Sequence, residues 1–111
     1  MVLKLKLIGY SEPVELRMVK GQYSNGRLAL MLEDAETREP WAKLTVNIPD
    51  QPLAQDEFFV KGWSENASIV IALRRQTKLF THTGRIVPAG FCDAMVWKFS
   101  DPKTLNKIPN R

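Results

Sequence analysis

The chain has one histidine, His82, and one cysteine, Cys92. They are the one pair of side chains from which a thiolate nucleophile and its base could be assembled. Such a pair needs a hydrogen bond between its members and usually a third, orienting group. Pro88 and Gly90 lie near Cys92, and no local signature surrounds either residue. Cys92 therefore reads as a small apolar core residue and His82 as a solvated side chain in a polar turn. One His and one Cys also fall short of the three or four nitrogen and sulfur ligands typical of zinc. Glu33-Asp34 and Asp56-Glu57 offer paired carboxylates, but adjacent side chains on a strand point apart, so both read as solvated charge. No phosphate-binding lysine motif and no dinucleotide glycine fingerprint occurs. The sequence reads as no enzyme, with no metal and no cofactor expected.

A second kind of chemistry is recognition. Lys61, Trp63, Arg74, Arg75, Lys78, Arg85, Trp97 and Lys98 interleave bases with aromatics, the ingredients of single-strand nucleic-acid binding by stacking and phosphate contact. An exposed aromatic on a sheet face can stack a base, a contact worth ~1–3 kcal/mol. The opposing reading has Trp63 and Trp97 packing a helix onto a sheet, as large aromatics usually do. No sequence pattern of a known nucleic-acid fold accompanies them. The same residues form the candidate partner surface in either case. An unknown protein partner is expected ahead of nucleic acid.

Charge is unevenly spread. Net charge is +4, yet residues 1–60 carry seven Lys and Arg against nine Asp and Glu, whereas residues 61–111 carry nine against three. A basic half suits an anionic partner, and equally suits a solubilising surface. A net positive chain is the wrong sign for a DNA mimic.

The elements that must position these residues come from hydrophobic period. With 111 residues, 44% hydrophobic and 25% charged, the chain is long enough for one domain with its own core. No apolar run approaches the ~20 residues of a membrane span. MVLKLKLI lacks a continuous apolar stretch of signal-peptide type, and a lone Cys92 fits a reducing compartment, so a cytoplasmic location is expected. Leu3, Leu5 and Leu7 alternate with lysines, and Val14, Leu16 and Met18 alternate with Glu15 and Arg17, predicting two paired strands. Asn25-Gly26 predicts a type I′ hairpin into a strand over Leu28–Leu32. EDAETREP has no apolar face and reads as an exposed loop. Trp41 to Ile48 alternates, with Ala42, Leu44, Val46 and Ile48 inward and Lys43, Thr45 and Asn47 outward; Phe58–Val60 follows as a short strand.

Ser64 as N-cap, Glu65 in the first turn and Arg74-Arg75 at the end predict a helix carrying Ile69 to Leu73, although that β-branched run also suits a central strand. Thr83-Gly84-Arg85 and Pro88-Ala89-Gly90 read as a link to a last strand over Phe91–Phe99. The prediction is an α+β fold: a largely antiparallel, twisted sheet with one main helix on one face. Residues 1–99 form the single domain and 100–111 a polar, loose tail. An exposed sheet edge leaves room for a weak homodimer beside the monomer.

PWAKLTVNIPD, DEFFVKGWSEN and THTGRIVPAGF, in that order and spacing, resemble a small uncharacterised bacterial family, a domain of unknown function carried on plasmids, phages and integrated elements. The resemblance covers most of residues 14–99. Trp63-Ser64-Glu65-Asn66 and Thr83-Gly84-Arg85 are its most specific segments. The chain departs from the pattern at Trp63, where tyrosine is expected, and in its basic C-terminal segment. The resemblance implies an accessory protein of a mobile element, and brings no activity and no catalytic residues.

Overall fold

A computed structural model describes residues 1–111. The fold is α+β: two antiparallel sheets, with one main helix packed against their shared core. The first sheet is the meander β1 (Val2–Leu5), β2 (Val14–Gln22), β3 (Leu28–Asp34) and β4 (Pro40–Lys43), in that spatial order. Leu5, Leu16, Met18, Leu30 and Leu32 come from its inward face and are buried, as the period-two pattern requires. On the other face Arg17 and Glu33 stand directly opposite each other, with N···O at 3.8 Å. The Tyr23–Arg27 connection differs from the predicted turn. Only Gly26 has positive φ, at 84°, and Tyr23 N–H donates to the Arg27 carbonyl at 2.9 Å. One left-handed residue thus suffices, because the loop has three residues rather than two.

The second sheet contains β5 (Glu57–Val60), β6 (Phe80–Ala89) and β7 (Cys92–Phe99), in the order β5-β7-β6. Both flanking strands run antiparallel to β7 and hence parallel to each other. The connection between them carries a 3-10 turn, Ser64–Asn66, and then α1 (Ala67–Gln76). Phe58, Val60, Trp97 and Phe99 join the first sheet's leucines in the main core. Phe59, Val87, Ala94 and Val96 form a second, smaller core on the opposite face, covered by Val46, Ile48, Leu53 and Trp63. Arg27 holds that cover in place. Its guanidinium donates to the carbonyls of Ile48 at 2.7 Å and Gln51 at 2.6 Å, and lies 5.7 Å from the Phe59 ring centre.

The sheets meet at residues 44–46. Leu44 N–H donates to the Leu30 carbonyl of β3, while Val46 N–H donates to the Phe59 carbonyl of β5. The predicted single strand Trp41–Ile48 therefore breaks as the chain passes from one sheet to the other. This also overturns the outward placement of Thr45, which is 1% exposed. Its hydroxyl accepts the Leu30 N–H at 3.2 Å and shares a hydrogen bond with the Tyr23 hydroxyl at 2.9 Å.

Helix α1 turns Ile69, Val70, Ala72 and Leu73 into the core and leaves Ile71, Arg74 and Arg75 outside. Ser64 does not cap it. A 3-10 turn precedes the helix, Ser64 has φ 55°, and the Asn66 amide donates to the Lys43 carbonyl at 2.6 Å instead of capping. At the other end the Gln76 side chain imitates a strand. Its amide accepts the Lys6 N–H and donates to the Lys6 carbonyl, both at 2.8 Å.

Two further expectations are corrected. The Thr83–Ala89 stretch is strand, not link. Thr83, Gly84 and Arg85 form a bulge between His82 and Ile86, with Gly84 at φ 84° and the Thr83 hydroxyl donating to the Val96 carbonyl at 2.8 Å. Turn-forming residues here mark an irregularity within pairing rather than its end. Nor is the C-terminal segment loose. Pro102–Lys107 is a 3-10 helix whose first turn is capped by Asp101, and Ile108 is 2% exposed in the main core. Lys20 N–H donates to the Pro109 carbonyl and Arg111 N–H donates to the Lys20 carbonyl, each at 2.9 Å. The C-terminal residues thereby extend the pairing along β2 past Met1, whose carbonyl accepts from Met18 N–H.

Two outcomes follow from these joints. Ile108→Ala costs about 2–5 kcal/mol, the range for emptying a buried aliphatic site, read as a lower urea midpoint. A loose tail would give no shift. Thr45→Val keeps the volume but strands the Leu30 N–H, costing about 1–3 kcal/mol with an unchanged denaturant slope.

Candidate functional site

The exposed side of α1 and the neighbouring part of β6 bring together uncommitted apolar and basic side chains. Helical spacing sets Ile71, Arg74 and Arg75 on one outward face, at i, i+3 and i+4. Arg74 lines two adjoining concavities. One is bordered by Ile71 and Arg75. The other is a cleft of ≈ 210 Å³ that Arg74 shares with His82, Gly84, Arg85, Ile86, Met95, Val96 and Trp97. Neither includes an acidic residue. Ile71 is 41% and Ile86 61% exposed, so each offers aliphatic surface to solvent. The bulge at Thr83–Arg85 lies between Ile86 and His82 and shapes this side of the cleft.

Trp97 lies beneath the cleft rather than in its opening. It is 1% exposed and packs against Phe80 and His82, with ring centres 5.4 and 4.6 Å away. Its indole N–H is buried and has no hydrogen-bond partner. Buried in this way, Trp97 has no face free to stack a base. His82 is exposed overall, but its ring packs against the indole at a 60° tilt. That loss of water, followed by the nearby Arg74 charge, holds the imidazole pKa below its ordinary value.

The residues expected at a partner surface separate into two groups. Arg74 and Arg75 lie together, Trp97 supports Arg74 from below, and Lys78 is exposed just past the helix end. The others are engaged elsewhere. Lys61 pairs with Glu65 at 3.0 Å, and Trp63 is half-buried against the second core. Arg85 borders the cleft, but its guanidinium bonds the Pro52 carbonyl and lies 3.7 Å from Glu57. Lys98 is half-buried on β7, in register with Glu57 and Thr81.

The possible catalytic partners are not assembled. His82 pairs with Trp97, whereas Cys92 pairs with Ala89 at the far end of the hairpin. Positions 92 and 97 on β7 are roughly 17 Å apart by strand rise, and their odd separation sends the side chains to opposite faces. Glu33 faces Arg17, while Asp34 accepts two backbone N–H bonds within its own loop, which keep its pKa below the usual carboxylate value. Glu57 accepts from Ala54 N–H and faces Arg85. No group of three His, Cys, Asp or Glu side chains has the arrangement of a metal site.

Ile71, His82 and Ile86, which give the cleft and its rim exposed side chains, were absent from the expected surface, as were Gly84, Met95 and Val96 of its lining. Ile71 carried a readable signal. In the run Ile69-Val70-Ile71-Ala72-Leu73, a 3.6-residue period cannot turn all five side chains inward, and the middle one is turned out. Ile86 and His82 carried none, because their positions depend on a strand hidden by its bulge.

Neither family models, nor curated proteins, nor solved structures include a match to this chain.

His82 provides a direct check on the geometry. Its NMR titration midpoint falls below ~6.5, the usual imidazole value. Arg74→Gln raises the midpoint only part of the way back, since desolvation is the larger cause. Because protonation is weaker in the folded state, this contribution to stability is present above the ordinary pKa and is lost as pH falls through the folded one. A midpoint at or above the ordinary value would contradict the packing of His82 against Trp97.

Proposed function

We propose that this chain is a non-catalytic protein-binding module, and that Ile71, Arg74, Arg75 and Ile86 are the centre of its binding face. The observation that carries the reading is aliphatic surface exposed on both sides of an unpaired arginine, on elements locked into the main core. Exposed apolar side chains grouped with cations, on a rigid helix and strand, are the ingredients of a recognition surface. The separation of His82 from Cys92 and the structural engagement of Glu33, Asp34 and Glu57 favour binding over chemistry. The role of mobile-element accessory protein rests on the resemblance of the segments around Trp41, Trp63 and Gly84. A cytoplasmic setting rests on the lone thiol of Cys92. No helix is long and apolar enough to cross a membrane.

A monomer is the proposed state. β6, an edge strand, carries both Pro88 and a bulge, features that blunt strand-to-strand pairing. Single-stranded nucleic acid is the weaker alternative, because Trp97 is buried and Ile71 and Ile86 have no counterpart in a phosphate backbone.

Affinity capture from bacterial lysate with the wild-type chain, beside Ile71→Asp/Ile86→Asp at an equal melting temperature, separates these readings. The module reading expects a protein retained by the first bait and lost from the second. Submicromolar, salt-sensitive binding to oligo-dT, with no protein retained, would replace it with the nucleic-acid reading.

A further inference from the structure

We infer that this face takes an acidic protein segment, with a carboxylate held by Arg74 and Arg75 and an aliphatic side chain lodged in the cleft against Ile86 and His82. The inference rests on the protein-binding reading and adds the chemistry of the partner.

The commitments of the arginines point to it. Arg17 faces Glu33, Arg27 bonds the Ile48 and Gln51 carbonyls, Arg85 bonds Pro52, and Arg111 donates to Met31 sulfur. The Arg38 side chain is exposed and unbonded too, but it lies between the acidic Glu36 and Glu39 of its own loop. Arg74 and Arg75 likewise have neither a salt bridge nor a side-chain hydrogen bond, are exposed, and have no acidic residue along α1. Adjacent like charges repel, and Lys78 just beyond adds a third. One carboxylate would relieve that repulsion and match the planar donor fork of a guanidinium. The position in the last turn of α1 makes both cations favourable to the helix and leaves their charge unanswered by any side chain.

The apolar half of the face decides between two anionic partners. A phosphate backbone would meet the arginines but leave Ile71 and Ile86 against water, and no aromatic face is open for stacking. A protein segment carrying Asp or Glu near Leu, Ile, Val or Phe meets both halves. The cleft of ≈ 210 Å³ has room for one such side chain. His82 would sense the occupant. The charged groups around it are Arg74 from α1 and Arg85 from its own strand, while β7 presents only Met95, Val96 and Trp97. A carboxylate beside it would therefore be its first anionic neighbour and would raise its affinity for a proton.

A displayed library of random twelve-residue peptides, selected on the full chain, tests this without a known partner. The expected winners pair Asp or Glu with a nearby bulky aliphatic. A synthetic winner should bind Arg74→Glu/Arg75→Glu and Ile86→Ser at least tenfold more weakly, while melting temperatures hold. If the double charge reversal unfolds the chain, Arg74→Gln/Arg75→Gln replaces it. Saturation with the peptide should raise the His82 NMR midpoint. Neutral or basic winners, or winners that bind the variants equally, overturn the inference and leave a binding module that uses another surface. An empty selection also overturns it. An empty selection together with oligo-dT binding lost in the charge reversal overturns the module reading as well.

Discussion

Thr45 is the point on which the two sheets become one body. A hydroxyl with almost no water around it stands in for a backbone carbonyl, taking the Leu30 N–H that the irregular crossing would otherwise strand. A buried amide without a partner is expensive, so the crossing is tolerable only with a small acceptor at this position. The Tyr23 hydroxyl completes the arrangement, linking the first hairpin to the same joint. From here the chain can serve β3 with Leu44 and β5 with Val46, and a single hydrophobic core can span both sheets. The helix needs that shared core. Ile69, Val70, Ala72 and Leu73 meet leucines of one sheet and aromatics of the other, so neither sheet alone accounts for their burial.

The placement of the candidate face follows from that architecture. Because α1 connects two strands that flank β7, its outward face runs beside the hairpin β6–β7. Arg74 thus meets His82, a residue eight positions away, across a cleft with Trp97 beneath. The bulge works on both faces of the sheet. It shapes the cleft, and it lets Arg85 reach across to Pro52 and Glu57. Together with Arg27, Arg85 fastens the cover over the second core. The segments around Trp63 and Gly84 are accordingly joints of the fold: a 3-10 entry to the helix and a bulged strand.

Much of this was legible in the sequence, and the failures share a cause. Alternating apolar residues disclosed the first three strands, and the apolar run after Ser64 disclosed the helix, because each pattern reflects burial on one side of one element. Thr45, read as outward, lies where inside and outside change owners as the chain moves between sheets. β6 was hidden because Thr83, Gly84 and Pro88 are turn residues unless a neighbouring strand absorbs the irregularity. The C-terminal segment was hidden because a 3-10 helix lacks the 3.6-residue period and Pro102 suits its first turn. At the candidate face, Arg74 and Arg75 were legible as bases, whereas their union with Ile86 depends on a tertiary crossing that periodicity does not encode.

Gln76 carries a consequence for how the molecule behaves when it loosens. Its amide occupies the hydrogen-bonding groups of Lys6 at an outer edge of the first sheet. Fraying of the last helical turn and uncovering of that edge are therefore a single event. A transient local opening would bare sheet backbone to other chains at the moment the neighbouring Arg74 and Arg75 lose their helical spacing. One side chain thus ties protection of a sheet edge to the integrity of the outward face of α1.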